Sequence, residues 1–204
     1  MPPWFIARQL SHPTGIVGHI MGWLMNRHNA RQNAFVVEQL ALAPDDRVLE
    51  VGFGGGINLP TLVERTAFVA GVDRSRTMVA AARTRFAAAV RAGRADFREG
   101  TVQALPFAAG AFDKACTVNT VYFWPSLEAG FAELARVLRP GGRVVVGFLP
   151  KAHMDRLGMP ADLFTPRTPE EVIAALEHVG FAGVRVTRPT PRTAARCGEV
   201  QLVV

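Results

Sequence analysis

"RVLEVGFGGGINLP", residues 47–60, runs a short apolar-leaning segment into a loop containing four glycines and straight on into a helical pattern. A strand, a glycine loop and a helix in that order open a parallel α/β sheet when strands and helices keep alternating behind them. They do here. "AFVAGVD" (67–73) reads as the second strand, "ADFREG" (95–100) as the third, "AFDKACTVN" (111–119) as the fourth and "GGRVVVGFLP" (141–150) as the fifth. "INLPTLVERT" (57–66) is the first crossover helix. A long alanine-rich helix with arginines on its polar positions follows from Ser75, which stands at an N-cap position. "SLEAGFAELARVLRPGG" (126–142) has Leu127, Phe131, Leu134 and Leu138 at helical spacing and is expected to stop at Pro140 and the two glycines. Near the end, Thr168 and Glu171 form a capping-box pattern with Pro169 at the first helical position, and "GVRVTRP" (183–189) and "EVQLVV" (199–204) read as two short closing strands. The expected architecture is α/β: a doubly wound, mostly parallel, seven-stranded sheet with helices on both faces. Residues 1–45, with helical patterns over 16–29 and 31–42, are expected to form a short helical lid ahead of a sheet domain covering 46–204.

The composition fits that reading. At 204 residues, with 49% hydrophobic and 20% charged residues, the chain suits one compact domain with a proper core. The apolar run "GIVGHIMGWLM" (15–25) contains two glycines and a histidine, falls short of the roughly 20 residues a membrane span needs, and is followed by no small-residue cleavage pattern. Two cysteines, Cys116 and Cys197, offer neither metal-ligand spacing nor a disulfide framework, so a cytoplasmic location is expected. The net charge of +6 is carried mostly by arginine, and the arginines of 73–94 fall on the solvated face of a helix, which weakens a nucleic-acid reading.

What the glycine loop holds is decided by its neighbours. In a doubly wound sheet, ligands bind beyond the carboxyl ends of the strands where the strand order reverses, and this loop lies there. Gly52, Gly54, Gly55 and Gly56 do not reproduce the G-x-G-x-x-G of a dinucleotide turn, because Ile57 occupies the third position after Gly54. Glu50, heading the loop, repels phosphate and suits a cationic group. Asp73, about 20 residues on at the end of the second strand, can accept both hydroxyls of a ribose. After the third strand, Thr101 and the backbone of Val102 can meet an adenine edge. Together these describe a nucleoside with an amino-acid tail and a positive sulfur.

At these residues the chain resembles the class I S-adenosylmethionine-dependent methyltransferases, in particular the small-molecule group carrying "ALPF" and "RVLRPGG" segments; the motifs cover about residues 45–150. "EVGFGGG" is similar to the family's E/D-x-G-x-G-x-G loop, which implies that Glu50, Gly52, Gly54 and Gly56 bind the methionine end. "GVDRS" resembles the ribose segment, implying Asp73 on the ribose hydroxyls, Arg74 beside the adenine and Met78 near the ring. "GTVQALPFAAGAFD" resembles the adenine segment, with Thr101 where an aspartate is common. The implied cofactor is S-adenosyl-L-methionine and the implied product S-adenosyl-L-homocysteine.

The segment "TVNTVYFWP" (117–125) leaves the fourth strand where the acceptor is expected. Asn119 is expected at the sulfonium end of the cofactor, and Tyr122, the one tyrosine, with Phe123 and Trp124 in the acceptor pocket. Tyr122 and His28 are the candidates for a catalytic role, His28 as a base supplied from the helical lid. No H-E-x-x-H or other metal spacing occurs, so no metal is expected. Base methylation on nucleic acid is disfavoured, because neither a D/N-P-P-Y/F loop nor a Pro-Cys pair is present. The expected reaction is in-line methyl transfer to an O or N atom of a small, fairly hydrophobic metabolite. The alternative is a phospholipid amine met at the membrane surface, with Arg8, Arg27 and Arg31 near an amphipathic N-terminal helix. A nicotinamide-dependent oxidoreductase and a non-catalytic cofactor-binding protein complete the range. Oligomeric state has no signature in the sequence.

Overall fold

The computed structural model of the chain describes residues 30–187 and 201–203. Its described part begins with helix α1 (30–39), followed by β1 (Arg47–Val51), α2 (Leu59–Arg65), β2 (Phe68–Asp73), α3 (Arg76–Arg85), α4 (Ala87–Arg91) and β3 (Ala95–Glu99). Then come β4 (Phe112–Val118), a 3-10 turn (Val121–Phe123), α5 (Leu127–Val137), β5 (Leu138–Phe148), α6 (Lys151–Leu157), α7 (Pro169–His178), β6 (Val186–Thr187) and β7 (Gln201–Val203). The spatial order is β3-β2-β1-β4-β5-β7-β6, and β1 through β5 run parallel. The strand order reverses between β1 and β4. The parallel sheet thus has five strands rather than seven; β7 and β6 continue it as a short antiparallel margin.

Parallel strands buried on both faces read as near-continuous apolar runs, and β1, β2 and β5 do so. Alternate side chains feed two cores. On one face Val48, Val69 and Val145 pack with Val36 and Val37 of α1 and Leu40 just after it, Leu59 and Leu62 of α2, and Met78 and Val79 of α3. On the other, Leu49, Val51, Val144 and Val146 pack with Phe131 and Leu134 of α5 and Val172 and Leu176 of α7. The helix expected over 31–42 is therefore α1, and it belongs to the sheet's core. The helix expected over 16–29, and with it His28, lies outside the described residues.

Two boundaries differ from the sequence reading. The long helix from Ser75 is two helices: Phe86 leaves helical geometry at φ −109° and ψ 26°, and its ring sits 5.7 Å from that of Phe97, between α3 and α4. Ser75 does cap α3, its hydroxyl accepting from the Met78 amide at 3.4 Å. The helix over 126–142 ends earlier than expected, at Val137, and Leu138 is already extended at φ −80° and ψ 142°. Pro140 lies inside β5, in an exposed stretch where the register against β4 slips between Phe112 and Lys114. A proline removes a ladder donor and forces its predecessor out of the α region, so "LRPGG" forms a bulged strand entry rather than a helix end.

Candidate functional site

The site lies where three strand ends meet. Gly52, leaving β1, has φ +71°, and a Cβ there would run into the Thr120 methyl. Gly54 has φ +50°, but a Cβ on it would meet nothing within 4 Å, so the loop backbone lies open to a ligand at this point. Gly56 follows at φ +65°.

Asp73 ties the loops together. Its Oδ2 accepts from the Gly54 amide and its Oδ1 from the Ser75 amide, both at 2.8 Å, while its carbonyl accepts from the Gly100 amide at 3.1 Å. One buried residue, through its carboxylate and its main-chain carbonyl, thereby fixes the loops after β1, β2 and β3 relative to each other. A carboxylate offers about four acceptor positions, which is compatible with two amides and a diol. Arg74 is exposed, its guanidinium 5.7 Å from the Phe123 ring centroid. Thr101 is exposed and bridges to Ala104, Val102 is buried, and Met78 is buried in the core.

Glu50 is 3% exposed. Its Oε1 accepts from Asn58 Nδ2 at 2.8 Å, and its Oε2 has no hydrogen-bond partner. Burial drives its pKa up to about 8, the Asn58 hydrogen bond works against that rise, and the Asp73 charge adds to it. Burial also raises the thiol of Cys116, which pairs with Glu50 across β1 and β4.

Asn119 takes a left-handed conformation, φ +56°, just past β4, and its amide donates to the Gly147 carbonyl at 2.7 Å. Its side chain pairs with Gln32 of α1: Gln32 Nε2 donates to Asn119 Oδ1 at 3.1 Å, and Asn119 Nδ2 donates to Gln32 Oε1 at 2.8 Å. Tyr122 is buried and its hydroxyl is occupied. It lies 3.2 Å from both Asn119 Oδ1 and the Leu149 carbonyl, and it accepts from the Leu149 amide. Desolvation pushes its pKa far above the usual phenol value. These contacts make Tyr122 a pin between the ends of β4 and β5, in place of the acceptor-facing hydroxyl expected from sequence. Trp124 likewise turns inward, its ring 5.1 Å from Phe131 and packed on Gly130. Phe123 stays half-buried, 4.9 Å from Phe164.

The sequence reading missed Gln32, Asn33 and Asn58, all nearly fully buried. The signal was there: helical spacing puts Gln32 and Asn33 on the same face as Val36, Val37 and Leu40, so two amides sit on an apolar stripe. Among the described residues no group of three or more His, Cys, Asp or Glu could hold a metal ion, and no helix is long and apolar enough to cross a membrane.

The methyltransferase-domain family matches residues 49–146, a span that carries the ends of β1 to β4. Residues 49–146, just under half of the chain, are thus similar to a methyltransferase domain. Relatives of this chain include the uncharacterized methyltransferase YdaC of Bacillus subtilis, 28% identical over 134 residues, or 65% of this chain and 72% of that protein. A phosphatidylethanolamine N-methyltransferase of Cereibacter sphaeroides is 37% identical over 100 residues, 49% of each chain. The chain thus spans about half the length of that second relative. An S-adenosylmethionine-dependent methyltransferase of Thermotoga maritima shares the fold with a TM-score of 0.68 at 21% identity, with 98% of each chain covered. The family match and these relatives mark the chain as an enzyme, and the neighbours that share its fold include enzymes dependent on S-adenosylmethionine. The residues present fit that molecule: an unpartnered buried carboxylate oxygen suits its cationic end, and the open backbone at Gly54 leaves room beside Asp73.

Proposed function

We propose that the chain transfers a methyl group to an O or N atom of a small, fairly hydrophobic metabolite. When bound, S-adenosylmethionine supplies a methyl group already activated on a sulfonium, which passes in line to the acceptor as the sulfur departs neutral. Positioning can then supply most of the rate, because the entropic cost of bringing the two partners together is met on binding. In this reading Glu50 holds the cationic methionine end, Gly52, Gly54 and Gly56 let the backbone approach it, and Asp73 accepts from the ribose hydroxyls. Arg74, Met78, Thr101 and the Val102 backbone surround the adenine. The observation that carries the reading is the convergence of three loops on Asp73 beside a buried, half-satisfied Glu50, at the point where the strand order reverses.

For the acceptor, the half-buried Phe123 and its neighbour Phe164 supply an apolar wall beyond the end of β4. Tyr122, its hydroxyl occupied, keeps that wall in place, while Asn119 stands at the sulfonium end. The reading is tested by calorimetric titration with S-adenosylhomocysteine, with NADH in parallel. Binding of S-adenosylhomocysteine alone near one equivalent is the expected result; binding of NADH alone would overturn it. Release of S-adenosylhomocysteine on supplying candidate acceptors then separates an enzyme from a passive binder.

The Cereibacter relative favours one second reading, in which the acceptor is a phospholipid amine. Vesicle co-sedimentation separates the two: binding to anionic but not neutral vesicles favours the lipid, and no binding favours the metabolite.

A further inference from the structure

Gln32 and Asn33 are consecutive residues of α1, 3% and 6% exposed, and they reach two different strands. Asn33 Oδ1 accepts from Asn58 Nδ2 at 2.9 Å, and the same Nδ2 donates to Glu50 Oε1 at the end of β1. Gln32 makes its two-bond amide pair with Asn119 just past the end of β4. β1 and β4 are hydrogen-bonded neighbours on either side of the reversal in strand order. One turn of one helix therefore holds both walls of the ligand crevice.

Ordinary packing does not require this arrangement. Buried amides on the apolar stripe of a helix cost desolvation unless they are hydrogen-bonded, and apolar residues there would serve the core as well. Asn119 has its backbone in a left-handed conformation, which asparagine tolerates, and its side-chain amide is held by Gln32. Glu50 needs support, since Asn58 is the hydrogen-bond partner of its Oε1 and Oε2 has none.

We propose that Gln32 and Asn33 are positioning residues of the cofactor site, Asn33 acting through Asn58 on Glu50 and Gln32 acting directly on Asn119. Docking α1 onto the sheet then sets both walls in one step. The inference rests on the proposed placement of Glu50 at the cationic end of S-adenosylmethionine.

The two residues have separable signatures. The Asn58 hydrogen bond favours ionised Glu50, against burial and the Asp73 charge. Among the described residues, the ionisable groups coupled to Glu50 are Asp73 on β2 and Cys116 on β4. Loss of the Asn33 acceptor loosens Asn58, so Glu50 ionises at higher pH and affinity for a ligand bearing an ammonium reaches its plateau at higher pH. Loss of Gln32 leaves that bond intact and lowers affinity at every pH with the same midpoint.

The test is calorimetric titration of S-adenosylhomocysteine into the wild type, Asn33→Leu and Gln32→Met from about pH 6 to about pH 9, with thermal melting of each protein alongside. The expected result is a loss of about threefold to tenfold in affinity for each variant at neutral pH, with the midpoint displaced upward in Asn33→Leu only. Alanine at either position carries the same contrast if the larger side chain does not fold. Wild-type binding with coincident midpoints in all three proteins, or with both midpoints displaced together, overturns the inference alone. Failure of the wild type to bind overturns the cofactor placement and the inference with it.

Discussion

Burial of Glu50 makes folding of the unliganded chain pH-dependent. Its folded-state pKa of about 8 lies above the ordinary 4.5, so the folded protein retains a proton that the unfolded chain releases. The stability this represents is complete below about pH 4.5 and is lost as pH rises through about 8, a span on the order of 5 kcal/mol. Denaturant unfolding across that range should show the decline in the wild type and a much flatter profile in Glu50→Gln, which should also bind S-adenosylhomocysteine more weakly. A profile unchanged by the substitution would remove Glu50 as its source. Asp73→Asn turns one hydrogen-bond acceptor into a donor facing the Gly54 or Ser75 amide; it should cost about 1–3 kcal/mol and weaken cofactor binding together. Tyr122→Phe should also cost about 1–3 kcal/mol, because the Leu149 amide loses its acceptor, yet leave the pH profile of turnover unmoved. A displaced profile would return Tyr122 to the chemistry.

The loop after β1 separates stability from binding. Gly52→Ala meets both a positive φ and the Thr120 methyl, so it should lower the melting temperature sharply, whereas Gly54→Ala meets only the positive φ and should damage binding more than folding. Parallel melting and calorimetry check the contrast. At the far end of the sheet, Thr168→Ala removes the capping box of α7 and should cost about 1 kcal/mol with no change in cofactor affinity. Elements were legible in sequence where local chemistry decides them. The β1 loop, the Ser75 cap and the Thr168–Glu171 box are short-range patterns, and each appears in the fold. Elements set by contacts distant in sequence were not. Phe86, where the helix breaks, packs against Phe97, and the inward Tyr122 bonds Leu149, a partner 27 residues away. The polar support from α1 was hidden for the same reason, since the Gln32 and Asn119 amides meet across 87 residues of chain.

At the scale of the whole molecule, the five parallel strands carry the site while the antiparallel pair stands away from it, beyond β5. Each face of the sheet has its own core, and each core serves a different purpose. The face holding α1, α2 and α3 supports Glu50 and Asn119, whereas the face holding α5 and α7 supports the 3-10 turn with Tyr122 and Trp124. Phe131→Ala, in the second core, should cost about 3–5 kcal/mol and loosen the acceptor side of the site before the cofactor side. The margin of the sheet carries a consequence of its own. β7 lies between β5 and β6, so β6 is joined to the sheet through a strand that comes after it in sequence. Detachment there is therefore ordered: β6 can fray and leave β7 paired to β5, whereas β7 cannot leave β5 without taking β6 off the sheet with it.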